Sequence, residues 1–125
     1  MKMADIIKKC RELAAKYPGA KYVPPSPNSS CFYTSGDVMV DDKTVCKGCI
    51  LGNAIRLADS EFYDERLSDE PAVGFGEFSD RALAWEILED NEAELSWLQC
   101  VQDHQDRGEK WSSAVDIADQ AFPLG

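Results

Sequence analysis

Long apolar stretches are missing from this sequence. No run approaches the ~20 residues that span a bilayer, and no apolar segment follows the basic start Met1-Lys2-Met3. A membrane span and a cleaved secretion signal are therefore not expected, and the chain reads as soluble and cytoplasmic. Positive charge is scarce: 13 Lys and Arg stand against 23 Asp and Glu, for a net charge of −10. That balance argues against general affinity for nucleic acid or anionic membrane. There is one histidine, and no Gly-x-Ser-x-Gly, His-Glu-x-x-His or P-loop pattern, so no residue is assigned a catalytic role. What is present is globular in composition, with 44% hydrophobic and 10% aromatic residues in 125. That length suits one domain, 1–125.

Periodicity predicts a mainly helical domain of about five helices. Ile6, Cys10, Leu13 and Tyr17 fall at helical spacing over 4–17, with Lys8, Lys9, Arg11 and Lys16 on the other face. Pro18-Gly19 ends that helix. Residues 20–47 are turn-rich and carry short extended pieces: Tyr22-Val23, Cys31 to Thr34, Val38 to Val40 and Thr44 to Cys46. They read as a small antiparallel hairpin or meander. Gly48 precedes an apolar helix from Cys49 to about Ala58, expected to be the most buried element. Phe62, Tyr63 and Leu67 suit a short helix, and Gly74-Phe75-Gly76 reads as a turn. A helix capped by Ser79 is expected to reach Leu88, with Leu83, Ala84, Ile87 and Leu88 inward. Another runs from about Asn91 to Arg107, closed by Gly108, and a last one from Trp111–Ser113 to Phe122. The fold class is α+β.

Cysteines stand at 10, 31, 46, 49 and 100. An odd number without a secretion signal suggests reduced thiols. Cys46-Lys47-Gly48-Cys49 is a Cys-x-x-Cys between a strand and a helix, where a helix N-terminus and Lys47 would favour a thiolate. A dithiol redox enzyme is one reading, although the flanking pieces do not form βαβ units. Cys100 and His104 lie one helical turn apart. With Cys46 and Cys49 they make a Cys₃His set for zinc, separated by a gap of ~50 residues, wider than small zinc sites use. Cys31 is a substitute ligand. Against both stands plain packing: Cys49 and Cys100 as small buried hydrophobes, slow to react in the folded chain. The leading expectation has no cofactor, with zinc as the alternative.

The acidic residues are unevenly spread. Residues 1–22 carry six basic and two acidic side chains, whereas residues 61–125 carry four and seventeen. Glu86, Glu89, Asp90, Glu92 and Glu94 straddle the junction of two expected helices. Glu92 and Glu94 suit a helix start, but Glu86, Glu89 and Asp90 sit at a helix end, where the dipole disfavours them. Two readings result: a solubilising face, or a contact surface for a basic protein partner.

Gly48-Cys49-Ile50-Leu51-Gly52-Asn53-Ala54-Ile55 resembles a loose group of small proteins from actinobacteria and their phages. The group shares a hairpin cysteine beside aromatics, here Cys31-Phe32-Tyr33. A Gly-Cys-aliphatic-aliphatic-Gly helix start and a late Trp-containing helix follow. Two departures stand out: Asn53 replaces a frequent histidine, and Asp41-Asp42-Lys43 lengthens the hairpin. The resemblance implies a cytoplasmic phage or actinobacterial factor and no established activity. Cys31, Cys49 and Gly52 are its structural residues, with Gly52 letting the hairpin lie close against the helix. The function expected is a non-enzymatic interaction protein that binds a host protein, in defence evasion or superinfection control. A small zinc-binding regulatory domain and a thiol enzyme are the alternatives.

Overall fold

The N-terminal helix α1 (Met3–Lys16) forms because Ile6, Ile7, Cys10, Leu13 and Ala14 recur on one face, and all of them are buried. Its first turn has no side-chain cap. Instead the strand-like Leu88 pairs with Lys2, Met3 donating to the Leu88 carbonyl at 2.6 Å and Leu88 to that of Met1 at 3.0 Å. The computed structural model describes residues 1–25, 33–67, 82–83, 85–89 and 91–124.

Three short strands follow, β1 (Lys21–Val23), β2 (Asp37–Val40) and β3 (Lys43–Lys47), antiparallel in the order β1-β2-β3. Tyr22 pairs with Val38, and these two buried residues turn the sheet toward the core. The β2–β3 hairpin closes on Asp41 and Asp42, with φ of 50° and 65°. A two-residue turn of this hand matches the twist of the strands, and aspartate tolerates the left-handed region better than most residues. The expected strand at 31–34 is corrected: Tyr33 and Thr34 are bend residues, and the Tyr22 piece supplies the outer strand. Cys31 and Phe32 lie outside the described residues.

Helix α2 (Ile50–Ala58) is the central element, with Ile50 through Ile55 all buried, as its composition led one to expect. Leu57, expected to pack, is 46% exposed. Cys49 is the N-cap, its Sγ accepting from the Gly52 N–H at 3.4 Å, and Gln105 Oε1 accepts from Ile50 N–H at 2.8 Å. That second bond explains a fully buried glutamine on an otherwise apolar stripe, because it satisfies an orphan helix-start donor. Helix α3 (Ser60–Arg66) follows directly, capped by Asp59.

Ala82 and Leu83 are helical, but the helix does not reach Leu88 as expected. Ile87 donates to the Ala82 carbonyl at 2.9 Å and Glu86 to that of Leu83 at 3.2 Å, with Glu86 at φ 59°. This pair of bonds around a left-handed residue is a Schellman ending. It turns Ile87 inward beside Ala82 and leaves Leu83 and Leu88 outside, at 82% and 60% exposure. Ser79, Ala84 and the Gly74-Phe75-Gly76 turn are outside the described residues.

Helices α4 (Glu92–Asp106) and α5 (Trp111–Ala121) pack on one another and on α1. Asn91 caps α4. Gly108, at φ 87°, ends it with the same two-bond pattern, Glu109 to His104 and Gly108 to Gln105. Trp97 and Trp111 are fully buried. The Trp97 indole donates to Asp119 at 2.8 Å, and Arg11 reaches the same carboxylate at 2.7 Å while lying over the Trp97 ring. Among the described residues, five helices and one small antiparallel sheet make an α+β arrangement.

Candidate functional site

The acidic junction divides on inspection. Glu86, Glu89 and Glu92 are exposed, whereas Glu94 is buried and its backbone N–H is held by the Asn91 cap at 3.0 Å. Glu94 therefore serves the start of α4 and is removed from the expected contact surface. Asp90 lies outside the described residues. The helix-end argument also narrows, because Glu89 follows the Lys2–Leu88 bridge and only Glu86 adjoins a helix end. In exchange, Leu83 and Leu88, assigned inward from their spacing, are exposed, with Leu88 two residues after the exposed Glu86 and next to Glu89 in the chain. Helical spacing misplaced Leu88 because the Schellman turn breaks the period at Glu86, whereas Leu83, ahead of the turn, lies on the outer face. No residue in the sequence marks that turn, because no glycine stands at 84–90.

The cysteines are spread over three environments. Cys10 and Cys49 are buried free thiols; burial, then the neighbouring Cys49, pushes the Cys10 thiol far above its ordinary range. Cys46 is half-buried on β3, and burial raises its thiol against the opposing pull of Arg56 and Lys16. Cys100, expected to be buried, packs against the edge of the core but is only half-buried. It lies beside His104 along a cavity of about 390 Å³ that Arg107 and Phe122 also line. Burial raises this thiol too, with Asp103 adding to the effect. His104 Nδ1 lies 3.0 Å from Glu109 Oε2.

Among the described residues, no three His, Cys, Asp or Glu side chains are grouped to hold a metal. The set Cys46, Cys49, Cys100 and His104 is thus not gathered: Cys49 caps α2, and the other members line two different cavities. The dithiol arrangement is likewise divided between a buried cap and a strand residue.

Gly48 and Gly52 together explain the Gly-Cys-x-x-Gly motif. Tyr33 runs across both, so close that a Cβ at Gly52 would sit 2.6 Å from the Tyr33 carbonyl carbon and 2.8 Å from its Cα. The close approach at Gly52 is made by the Tyr33 bend rather than by a hairpin strand, and the expected contact of Cys31 and Phe32 lies outside the described residues. Tyr33 is buried, its ring edge-on to Trp85 at 5.5 Å.

Asn53 binds the β3–α2 connection. Its amide donates to the carbonyls of Lys47, Gly48 and Cys49 at 2.9, 3.0 and 3.1 Å. Its Oδ1 accepts from Arg56 at 3.0 Å. The Arg56 guanidinium thereby faces a cleft of about 380 Å³ between α1, β3 and α2, lined also by Lys16, Tyr17, Cys46 and Leu57. Sequence reasoning singled out neither Lys16 nor Arg56 for this site, since they are 40 positions apart and only the α1–α2 packing joins them.

Among the described residues no helix is long and apolar enough to cross a membrane. No family model, curated protein or solved structure matches the chain.

Proposed function

We propose that the chain is a non-enzymatic interaction protein. Its contact surface is the edge formed by Leu83, Glu86, Leu88, Glu89 and Glu92, and it takes a protein partner with apolar side chains set among basic ones. The observation that carries this reading is the exposure of Leu83 and Leu88, at 82% and 60%, in an acidic setting. A second argument comes from the backbone. The chain ends two helices with the same Schellman geometry and uses Gly108 in one and Glu86 in the other. A non-glycine residue in the left-handed region costs ~1 kcal/mol, and strain retained at an exposed carboxylate is a reason to look for function there. The Leu88 backbone is tied to the start of α1 by its bonds to Met1 and Met3, which fixes one point of the surface before binding.

The partner we propose is a host protein met in the cytoplasm, with defence evasion or superinfection control as the role, a reading that rests on the sequence resemblance alone. Capture from host lysate, run in parallel with wild type and a Leu83→Ser/Leu88→Ser variant, tests the reading. Proteins retained by wild type and lost by the variant support it. An identical set on both would move the contact surface elsewhere. A zinc-binding domain and a thiol enzyme remain the alternatives, the first answered by elemental analysis of protein purified without chelator.

A further inference from the structure

The cleft between α1, β3 and α2 lies apart from the proposed contact edge, and its chemistry is opposite. In a chain of net charge −10 it brings together Lys16 and Arg56. The acidic residue on its rim, Glu12, is ion-paired with Lys9 at 2.9 Å. Arg56 is aimed by Asn53, which is 2% exposed and tied to three carbonyls of the β3–α2 connection. One of the five donors of a guanidinium goes to Asn53, and the planar fork suits an anion with two oxygens. The Lys16 ammonium lies 5.3 Å over the Tyr17 ring. Leu57 and Val45, 46% and 37% exposed, give the cleft an apolar wall, and a volume of about 380 Å³ falls at the small end of the range for ligand sites.

We propose that this cleft binds a small organic anion, a carboxylate or phosphate on a compact apolar body. The anionic group meets Arg56 and Lys16, and the body lies against Leu57 and Val45. Preorganisation favours it: Asn53 already holds the guanidinium, so little freedom is lost when the anion arrives.

The test is an NMR titration of the ¹⁵N-labelled full chain with benzoate, phenyl phosphate and benzylammonium, three probes with the same ring. Saturable shifts of the Tyr17, Cys46, Asn53 and Leu57 amides by at least one anion, with none by benzylammonium, are expected. The tighter anion then assigns the headgroup. Lys16→Gln should weaken that binding about tenfold, the worth of one charge-assisted hydrogen bond. Arg56→Gln should do the same; if it fails to fold, Lys16→Gln carries the test alone, since Lys16 is exposed. Absence of saturable shifts from both anions at millimolar concentration overturns the proposal. So do equal shifts from benzylammonium, or an unchanged affinity in Lys16→Gln.

Discussion

Replacing Gly52 with alanine sets two effects of opposite sign against each other. Alanine is the better helix former, by ~1 kcal/mol at an interior position, so an open site would be stabilised. Here the new Cβ would meet the Tyr33 carbonyl carbon at 2.6 Å and its Cα at 2.8 Å. The Tyr33 carbonyl oxygen is nearer still, and carbon atoms rest at about 3.5–4.0 Å, so the Tyr33 backbone would have to retreat by more than about 1 Å. It has little room to do so, because its ring is buried edge-on to Trp85. Overpacking of this kind costs ~1–3 kcal/mol, and a loosened aromatic pair adds ~0.5–1.5 kcal/mol. The balance is a net loss of ~1–3 kcal/mol, which lowers the midpoint by roughly 4–12 °C in a domain of this size. Gly52→Val, with two further methyl groups, should be worse. Thermal and urea melts would include Gly19→Ala as the control, since a Cβ there meets nothing within 4 Å. A Gly52→Ala variant as stable as wild type, or more so, refutes the packing argument.

Other outcomes follow from the same contacts. Asn53→Leu removes the two amide donors shared among three carbonyls, and the Arg56 partner; urea melts should show a loss of ~2–4 kcal/mol. Glu86→Gly relieves a left-handed residue and should stabilise by up to ~1 kcal/mol, a gain calorimetry can read. Native thiol labelling should modify Cys100 and Cys46 before Cys10 and Cys49, judged by mass spectrometry after digestion. The buried Cys10 thiol is raised above its ordinary 9.0, so the fold keeps a proton that the unfolded chain releases. Its contribution is complete below about pH 9 and is lost as pH rises, at ~1.4 kcal/mol per unit. Urea melts at rising alkaline pH should show that decline, with a shallower slope in Cys10→Ala.

The sequence carried the fold where local rules and burial agree. The α1 stripe from Ile6 to Ala14, the all-buried start of α2, the start of α4 near Asn91 and the Gly108 ending were all legible, because each rests on spacing or on one residue's backbone preference. Gly52 was legible in kind: a glycine in an apolar helix invites a close approach, although the partner is Tyr33. Glu86 was not legible, since a Schellman ending without glycine has no marker, and the helical period ran on through Leu83 and Leu88 to the wrong face. Cys100 misled because Trp97, Leu98 and Val101 fill the core side of α4, leaving Cys100 toward Phe122. Lys16 and Arg56 needed the α1–α2 packing to meet.

The central claim is that the Leu83–Glu92 edge binds a basic partner, and stopped-flow association with the captured partner tests it most directly. Wild type, Glu86→Gln/Glu89→Gln and Leu83→Ser/Leu88→Ser would be compared at low and high salt. These exposed sites should leave the fold within ~0.5 kcal/mol of wild type. The account predicts that the glutamine variant associates several-fold more slowly at low salt and like wild type at high salt, because steering is screened. The serine variant should dissociate at least about tenfold faster at both, as loss of buried leucine contacts requires. Unchanged rates for both variants at both salts would contradict the claim and leave the acidic edge as a solubilising surface.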